Sequence, residues 1–179
     1  IEHMGIIAIS FGVGGIAAVA GVIHLVAHAL IKSSLFFGAA PIVERFKSTK
    51  FANVSGVATA LPYTGALFLV GLLALLAAPP SPLFLSEYIL VSVLVRTHPI
   101  LAALVLMALT IIAAGFIRQL MPFLFASKDT APVAVTEKSL SVAHGGIILQ
   151  YLFVAGIGVA LWTPQGFAMV GHITHALGY

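Results

Sequence analysis

The sequence predicts an all-α fold, a polytopic bundle of transmembrane helices with one discontinuous helix near Pro79 to Glu87. The chain of 179 residues is 61% hydrophobic and 7% charged, with a mean hydropathy of +1.17, whereas a soluble domain has about 25% charged residues. Each run without Asp, Glu, Lys or Arg reaches or exceeds the roughly 20 residues that span a bilayer as helix. These runs are 3–31, 51–86, 97–117 and 139–179. They do not alternate as the strands of a β-barrel do, so we expect an integral membrane protein.

Charge and cysteine content exclude several functions. The net charge is +3, and the eight Lys and Arg residues lie mostly in predicted loops, so no basic stripe is available for a nucleic acid. The absence of cysteine removes disulfides, Cys-ligated zinc and thiolate-held iron–sulfur clusters. We therefore expect membrane lipid as a partner, no nucleic acid, no cofactor and no redox centre in this chain.

The first two predicted helices flank a glycine break. Segment A covers about 3–13 and segment B about 16–43, and the break between them lies at Gly12-Val13-Gly14-Gly15. Glycine weakens a helix and permits a turn, so the chain is predicted to break there. A charged loop at 44–50 and a mixed stretch at 51–60, near the membrane interface, are predicted to follow.

A proline cluster defines the next two segments. Segment C covers about 61–78 and ends at Pro79-Pro80-Ser81-Pro82, which cannot continue a helix because proline lacks the N–H group and its ring clashes with the preceding turn. Segment D covers about 83–95 and ends before Arg96-Thr97-His98-Pro99. A helix of that length rises only about 20 Å, short of the roughly 30 Å hydrocarbon core. Segment D is therefore predicted to be a half-helix or a broken span.

Two more segments and a tail complete the chain. Segment E covers about 99–117 and stops at Arg118, a loop continues to about 138, segment F covers about 140–162, and the tail is short and weakly amphipathic. The sequence thus predicts five to six helical segments within one domain, 1–179. Because the first residue lies inside an apolar run, we expect the C-terminal part of a longer protein, with an N-terminal part missing.

Segment B carries His24, His28 and Lys32 at the spacing i, i+4, i+8. Each step of four residues turns a helix by about 400°, which keeps the three within an arc of about 80° and a length of about 12 Å. Ionisable side chains are costly in lipid and mark functional sites, and imidazole and desolvated amine groups can exchange protons near neutral pH. We interpret the row as a proton relay. In the alternative, the histidines hydrogen-bond neighbouring helices and Lys32 extends to the interface.

Glu87 is the only acidic residue between 51 and 117, and it follows the proline break. Broken helices at membrane depth occur where they line a cavity or are buried in protein. Glu87 is therefore predicted to hold a proton or to pair with a cation, and the alternative places it at the membrane surface.

The other ionisable residues of the apolar segments are weaker candidates. His3 and His144 are possible members of the relay, and Glu2 either continues the row or marks a helix end. The remaining histidines, predicted at the interface, are His98, His172 and His175.

Two metal-based alternatives come from histidine spacing. His24 and His28 have the spacing of a two-His zinc face, but Leu25 stands where an H-E-x-x-H motif has its glutamate. Two histidines from different helices could hold a haem, although Lys32 on the same face would be an unusual neighbour. We predict no metal ligand, and a haem-binding electron-transfer subunit is kept as an alternative function.

Three ordered motifs resemble those of a known superfamily of membrane subunits. Residues 1–5 resemble its I-E-H-M-G. The row from His24 to Phe37 resembles its H-x-x-x-H-x-x-x-K-x-x-x-F. Residues 79–88 resemble its P-P-x-G-x-F-x-S-E-F, with Ser81-Pro82 in the region of the missing glycine. The chain resembles the proton-translocating, antiporter-like subunits of respiratory complex I, Mrp antiporters and membrane-bound hydrogenases, nearest to hydrogenase-4 component F.

The resemblance implies a long bundle with two inverted half-channels joined by polar residues along the membrane midplane. His24, His28 and Lys32 match the central-to-exit relay, and Glu87 matches the charged residue of the late discontinuous helix. The family's earlier glutamate and lysine would lie upstream of Ile1.

The expected function is a proton-translocating subunit of a redox-driven complex of hydrogenase-4, formate hydrogenlyase or NADH:quinone oxidoreductase type. The other membrane and peripheral subunits of that complex are the expected partners, and the resemblance implies a bacterial or archaeal cell membrane as the location. A cation/proton antiporter subunit without a redox partner is the main alternative, and a purely structural membrane anchor is another.

Overall fold

The computed structural model describes residues 2–50, 53–126, 137 and 141–176, and within these ranges the ordered elements are helices, with no strand. The predicted all-α class is confirmed. The helices are α1 Glu2–Val13, α2 Gly15–Phe46, α3 Val57–Ala60, α4 Pro62–Leu75, α5 Pro82–Thr97, α6 Pro99–Phe125, α7 Val142–Leu161 and α8 Pro164–Ala176.

Three of these helices, α2, α6 and α7, are long and apolar enough to cross a membrane. They contain 32, 27 and 20 residues, and a helix of 20 residues already spans about 30 Å. Two further apolar helices, α1 and α4, are shorter. Length and composition therefore fit the integral membrane protein that the sequence predicts.

Helix α2 is the centre of the bundle and packs against α1, α4, α5, α7 and α8. The predicted break before it lies at Gly14 and Gly15, whose φ angles of 78° and 56° are left-handed and are accessible to glycine at little cost. After this turn α1 lies close against α2, because a Cβ atom at Gly21 would come within 2.9 Å of the Cβ of Ser10. This close packing places the start of α1 beside the middle of α2.

The proline break between α4 and α5 is also present. Helix α4 ends at Leu75, and α5 begins at Pro82 after Ser81, whose Oγ accepts the backbone N–H of Leu83 at 3.2 Å. Proline is favoured in the first helical turn because that turn needs no N–H partner. Helix α5 has 16 residues and rises about 24 Å, which matches the short segment predicted there.

Several predicted boundaries are wrong. Helix α2 continues through Phe46, so Glu44 and Arg45 are helical rather than in a loop, and α6 continues past Arg118 to Phe125. The described residues form eight helices rather than five or six, since 51–60 contains α3 and the tail contains α8. A charged residue ends the lipid-facing part of a helix, but the helix itself can continue into the interface. Of the charged residues in the predicted loop after Arg118, the structure describes Glu137, whereas Lys128, Asp129 and Lys138 lie outside the described residues.

Candidate functional site

His24 of α2 is fully buried and bridges two other helices. Its Nε2 lies 3.0 Å from Nδ1 of His3 in α1, and its Nδ1 lies 2.9 Å from Oγ of Ser86 in α5. A buried polar group costs free energy unless it is hydrogen-bonded. Because both nitrogens of His24 have partners, this side chain ties three helices together. We call His3, His24, Ser86 and Glu87 the buried cluster.

The hydrogen bonds of the buried cluster run in one direction. The Ser86 hydroxyl donates to the carbonyl of Leu83 at 2.8 Å, so its oxygen accepts the Nδ1–H of His24. A neutral His24 with its hydrogen on Nδ1 has a lone pair on Nε2, which accepts the Nδ1–H of His3. The partners therefore assign one tautomer to each ring, and the Nε2 lone pair of His24 points at His3.

Glu87 follows Ser86 on α5 and faces the same space. One donor atom each of His3, His24 and Glu87 lies within 4.8 Å of the others, close enough for the three side chains to share a metal ion. A cavity of about 280 Å³ adjoins them, lined by Glu2, His3 and Glu87 among apolar side chains such as Phe116. Its volume is large enough for several water molecules, and its carboxylate and imidazole groups can hydrogen-bond them. The structure thus brings together His24, Glu87 and the weaker candidate His3, and of these His3 and Glu87 line the cavity.

His28 contacts the buried cluster, whereas Lys32 is exposed. The half-buried ring of His28 contacts that of His3, with centroids 4.5 Å apart, and its Nδ1 is buried without a hydrogen-bond partner among the described residues. Lys32 is exposed, and its Nζ lies 5.6 Å from the ring centroid of Phe36. The side of α2 that meets α1 and α5 therefore contains the two histidines, and the lysine lies outside it.

His144 belongs to a second group of polar residues, at the start of α4 and α7. Its Nε2 lies 2.9 Å from Oε1 of Glu137 and 3.0 Å from Oγ1 of Thr64, and its Nδ1 accepts the backbone N–H of Ser141 at 2.9 Å. Oε2 of Glu137 accepts the backbone N–H groups of Tyr63 and Thr64 at 2.7 and 3.0 Å. We call Thr64, Glu137, Ser141 and His144 the helix-end cluster, and none of these contacts reaches the buried cluster.

The carboxylate of Glu137 occupies the position of an N-terminal cap on α4. The first N–H groups of a helix have no partner within the helix and favour a negative charge. Burial alone would raise the pKa of Glu137, but hydrogen bonds from the side chain and backbone of Thr64 and from the backbone of Tyr63, with the nearby His144, lower it below its usual value. Glu137 is therefore an ionised, structural carboxylate at neutral pH.

Sequence reasoning missed three of the polar residues described above. Ser86 could have been found, because it directly precedes Glu87 in the S-E pair of the third motif. Glu137 and Thr64 are 73 residues apart, and no local pattern connects them. The histidines predicted at the interface, His98, His172 and His175, are exposed, and their position relative to lipid stays a prediction.

The fold and the buried cluster define a class of protein, a membrane-spanning helix bundle with ionisable side chains between its helices. The chain belongs to the NADH:quinone oxidoreductase/Mrp antiporter transmembrane family, whose model matches residues 1–113. This match includes all residues of the buried cluster. The family and the membrane location predicted from the sequence are confirmed.

Several curated proteins are similar to this chain. It is 35% identical over 136 residues to the hydrogenase-4 component F homolog of Methylacidiphilum infernorum, over 74% of this chain and 29% of that protein. It is 34% identical over 100 residues to hydrogenase-4 component B of Escherichia coli, over 49% and 15%. It is 32% identical over 99 residues to a probable K(+)/H(+) antiporter protein of Rhizobium meliloti, over 55% and 10%. The chain thus matches less than a third of the length of each relative.

Proposed function

We propose that this chain is part of a proton-translocating membrane subunit of a redox-driven complex, of hydrogenase-4, formate hydrogenlyase or NADH:quinone oxidoreductase type. The observation that carries the proposal is the meeting of His3, His24 and Glu87, from three helices, beside a cavity that His3 and Glu87 line, within the stretch that defines the family. Similarity to two hydrogenase-4 proteins and to a protein of NADH-quinone oxidoreductase supports the redox type. The partners are then other membrane and peripheral subunits, which contain the redox centres.

The geometry supports a specific route for the proton. A proton from the cavity binds at Glu87 or His3, the two relay groups that line it. His3 is a branch point, because it hydrogen-bonds His24 and its ring contacts that of His28. The branch through His24 ends at Ser86 and the Leu83 carbonyl, which has no proton to pass on. Onward transfer therefore proceeds through His28 to Lys32.

Charge coupling drives this relay. A proton on one group changes the proton affinity of its neighbours, so groups in contact titrate as a unit. In the proposed cycle, electron transfer in other subunits shifts charge at Lys32 and Glu87, which drives proton uptake at one and release at the other. His24 holds its tautomer throughout and keeps His3 oriented. His144, with its partners in the helix-end cluster, is left outside the relay.

Replacing Lys32 in the full-length subunit tests this function. The complex containing Lys32→Ala is reconstituted in vesicles, and redox turnover and proton translocation are measured separately. We expect translocation to be lost while redox turnover is partly retained, because the lysine accepts the proton that leaves His28. Lys47→Ala is the matched control, since Lys47 is an exposed lysine just after α2. Unchanged translocation in Lys32→Ala would remove Lys32 from the relay.

A cation/proton antiporter subunit is the second candidate function. The similarity to the probable K(+)/H(+) antiporter protein favours it, and the same side chains would serve. Isolation of the native complex in mild detergent distinguishes the two functions. Hydrogenase-like or quinone-oxidoreductase-like subunits support the redox-driven complex, whereas a complex made only of antiporter subunits supports the second function. For the haem alternative, the His3–His24 hydrogen bond offers no support, because it leaves no space for a macrocycle between the rings.

A further inference from the structure

We propose that His3, His24 and Glu87 form a binding site for a divalent transition-metal ion of the Zn²⁺ type, which takes the place of protons in the buried cluster. The three side chains come from α1, α2 and α5, and their donor atoms lie within 4.8 Å of one another. Imidazole and carboxylate are the ligands that such ions prefer when no thiolate is present. Three protein ligands and one open position are the usual composition of an accessible zinc site.

The contact between the two histidines already brings their nitrogens to nearly the separation that a zinc ion requires. Their facing nitrogens, His3 Nδ1 and His24 Nε2, are 3.0 Å apart. Two nitrogens bound at about 2.0–2.1 Å to a tetrahedral zinc ion lie roughly 3.3–3.4 Å apart. Because a shared hydrogen lies on the line between the two nitrogens whereas a zinc ion lies off that line, the pair would need to separate by about 0.3–0.4 Å and each ring would need to tilt by roughly 35°. The lone pair of His24 points into this gap, and His3 would release its Nδ1 proton on binding.

Ser86 supplies the support that metal-binding histidines typically have. A ligating imidazole usually donates its other N–H to an oxygen, which fixes the tautomer and the ring orientation. His24 Nδ1–H donates to Ser86 Oγ at 2.9 Å, and Ser86 is held in turn by the Leu83 carbonyl at 2.8 Å. This arrangement is present without any ion, so the lone pair of His24 is oriented in advance.

The cavity supplies the access and the fourth position. It is lined by His3 and Glu87, so a water molecule in it can complete the coordination. A bound ion would occupy the proposed branch point and stop proton transfer. That consequence rests on the proposed function, whereas binding itself does not. The site differs from the His24–His28 pair considered from the sequence, since it takes its ligands from three helices.

Cobalt binding to the full-length subunit tests the site. The purified protein is freed of metal with a chelator and titrated with Co²⁺, whose visible absorption reports ligation in a site of low coordination number, and Zn²⁺ is then added to displace it. We expect one Co²⁺ per chain in the wild type and at least tenfold weaker binding in Glu87→Gln and in His3→Ala. Ser86→Ala removes no ligand and should weaken binding by about tenfold. His98→Gln is the control, because His98 is exposed and outside the cluster.

Two results with the variants would overturn the site. One is wild-type binding in Glu87→Gln, a variant of nearly equal volume that preserves the test if His3→Ala does not fold. The other is an equal loss of binding in His98→Gln, which would assign the ion to surface histidines. If the wild type binds no Co²⁺ while Lys32→Ala abolishes translocation, the metal site fails and the proposed function stands.

Discussion

The buried cluster and the helix-end cluster use the same residue types in different ways. In the helix-end cluster, both ring nitrogens of His144 and both carboxylate oxygens of Glu137 have partners, several of them backbone groups. In the buried cluster, His3 and Glu87 face a cavity, and the neighbouring His28 has a nitrogen without a partner among the described residues. The comparison teaches that a His–Glu group holds helices together when all its hydrogen-bonding atoms are paired. A His–Glu group with unpaired atoms beside a cavity is free to exchange protons or bind an ion.

The largest expected effect is a difference in proton translocation rate between variants of Glu87 and of Glu137. Glu87→Gln in the full-length subunit should lower the proton translocation rate by about 100-fold or more, the scale of a lost proton-transfer group, because the amide cannot take up a proton from the cavity. Glu137→Gln should leave this rate within about twofold of the wild type, since its carboxylate caps α4. Translocation in reconstituted vesicles, divided by redox turnover, is the measurement.

Each of these two variants can contradict the comparison between the buried cluster and the helix-end cluster. A normal rate in Glu87→Gln would show that the proton does not enter the relay through Glu87. A large loss in Glu137→Gln, at an unchanged level of folded protein, would show that the helix-end cluster takes part in transport.

The second effect concerns the packing of α7 against the proline break that positions Glu87. A Cβ atom at Gly158 of α7 would overlap the carbonyl oxygen of Pro80, whereas one at Gly156 would meet nothing within 4 Å. Gly158→Ala should therefore destabilise the protein by about 1–3 kcal/mol, the usual cost of overpacking. Gly156→Ala should cost nothing or stabilise slightly, because alanine favours helix. Thermal unfolding of the two variants in detergent measures the difference, and equal melting temperatures would contradict close packing at the break.

Local signals predicted the parts of this structure that depend on backbone chemistry. Glycine and proline act on the residues next to them, so the break at Gly14 and the short helix α5 follow directly from the sequence. The ends of α2 and α6 did not follow, because the charges at Glu44 and Arg118 mark where lipid ends rather than where hydrogen bonding ends.

The site was predicted only in part, for a geometric reason. Helical spacing keeps His24 and Lys32 within about 80°, but that arc is wide enough for one to be buried and the other exposed. Which side of α2 meets α1 and α5 is decided by packing of the whole bundle. For the same reason, the contact between Thr64 and Glu137 requires tertiary structure, and no local pattern contains it.

The third effect tests whether the helix-end cluster contributes stability. Glu137→Gln removes the negative charge that accepts two N–H groups at the start of α4. We expect a loss of about 1 kcal/mol in the free energy of unfolding, the scale of a charge at a helix N-terminus. Lys50→Gln, an exposed charge change outside both clusters, serves as the control. A melting temperature equal to that of the control would leave the helix-end cluster without a stabilising role.

The smallest effect is the pH dependence of the same cluster. The pKa of Glu137 in the folded protein lies below its usual value of 4.5, so the folded state binds this proton more weakly than the unfolded state does. The stability contributed by Glu137 is therefore complete above about pH 4.5 and is lost as the pH falls through the lower folded-state pKa. Melting temperatures measured from pH 6 down to pH 3 should fall more steeply in the wild type than in Glu137→Gln, and the two curves should converge at the acid end. Parallel curves would mean that the start of α4 does not stabilise the ionised carboxylate of Glu137. The helix-end cluster would then have no structural role to contrast with the open positions of the buried cluster.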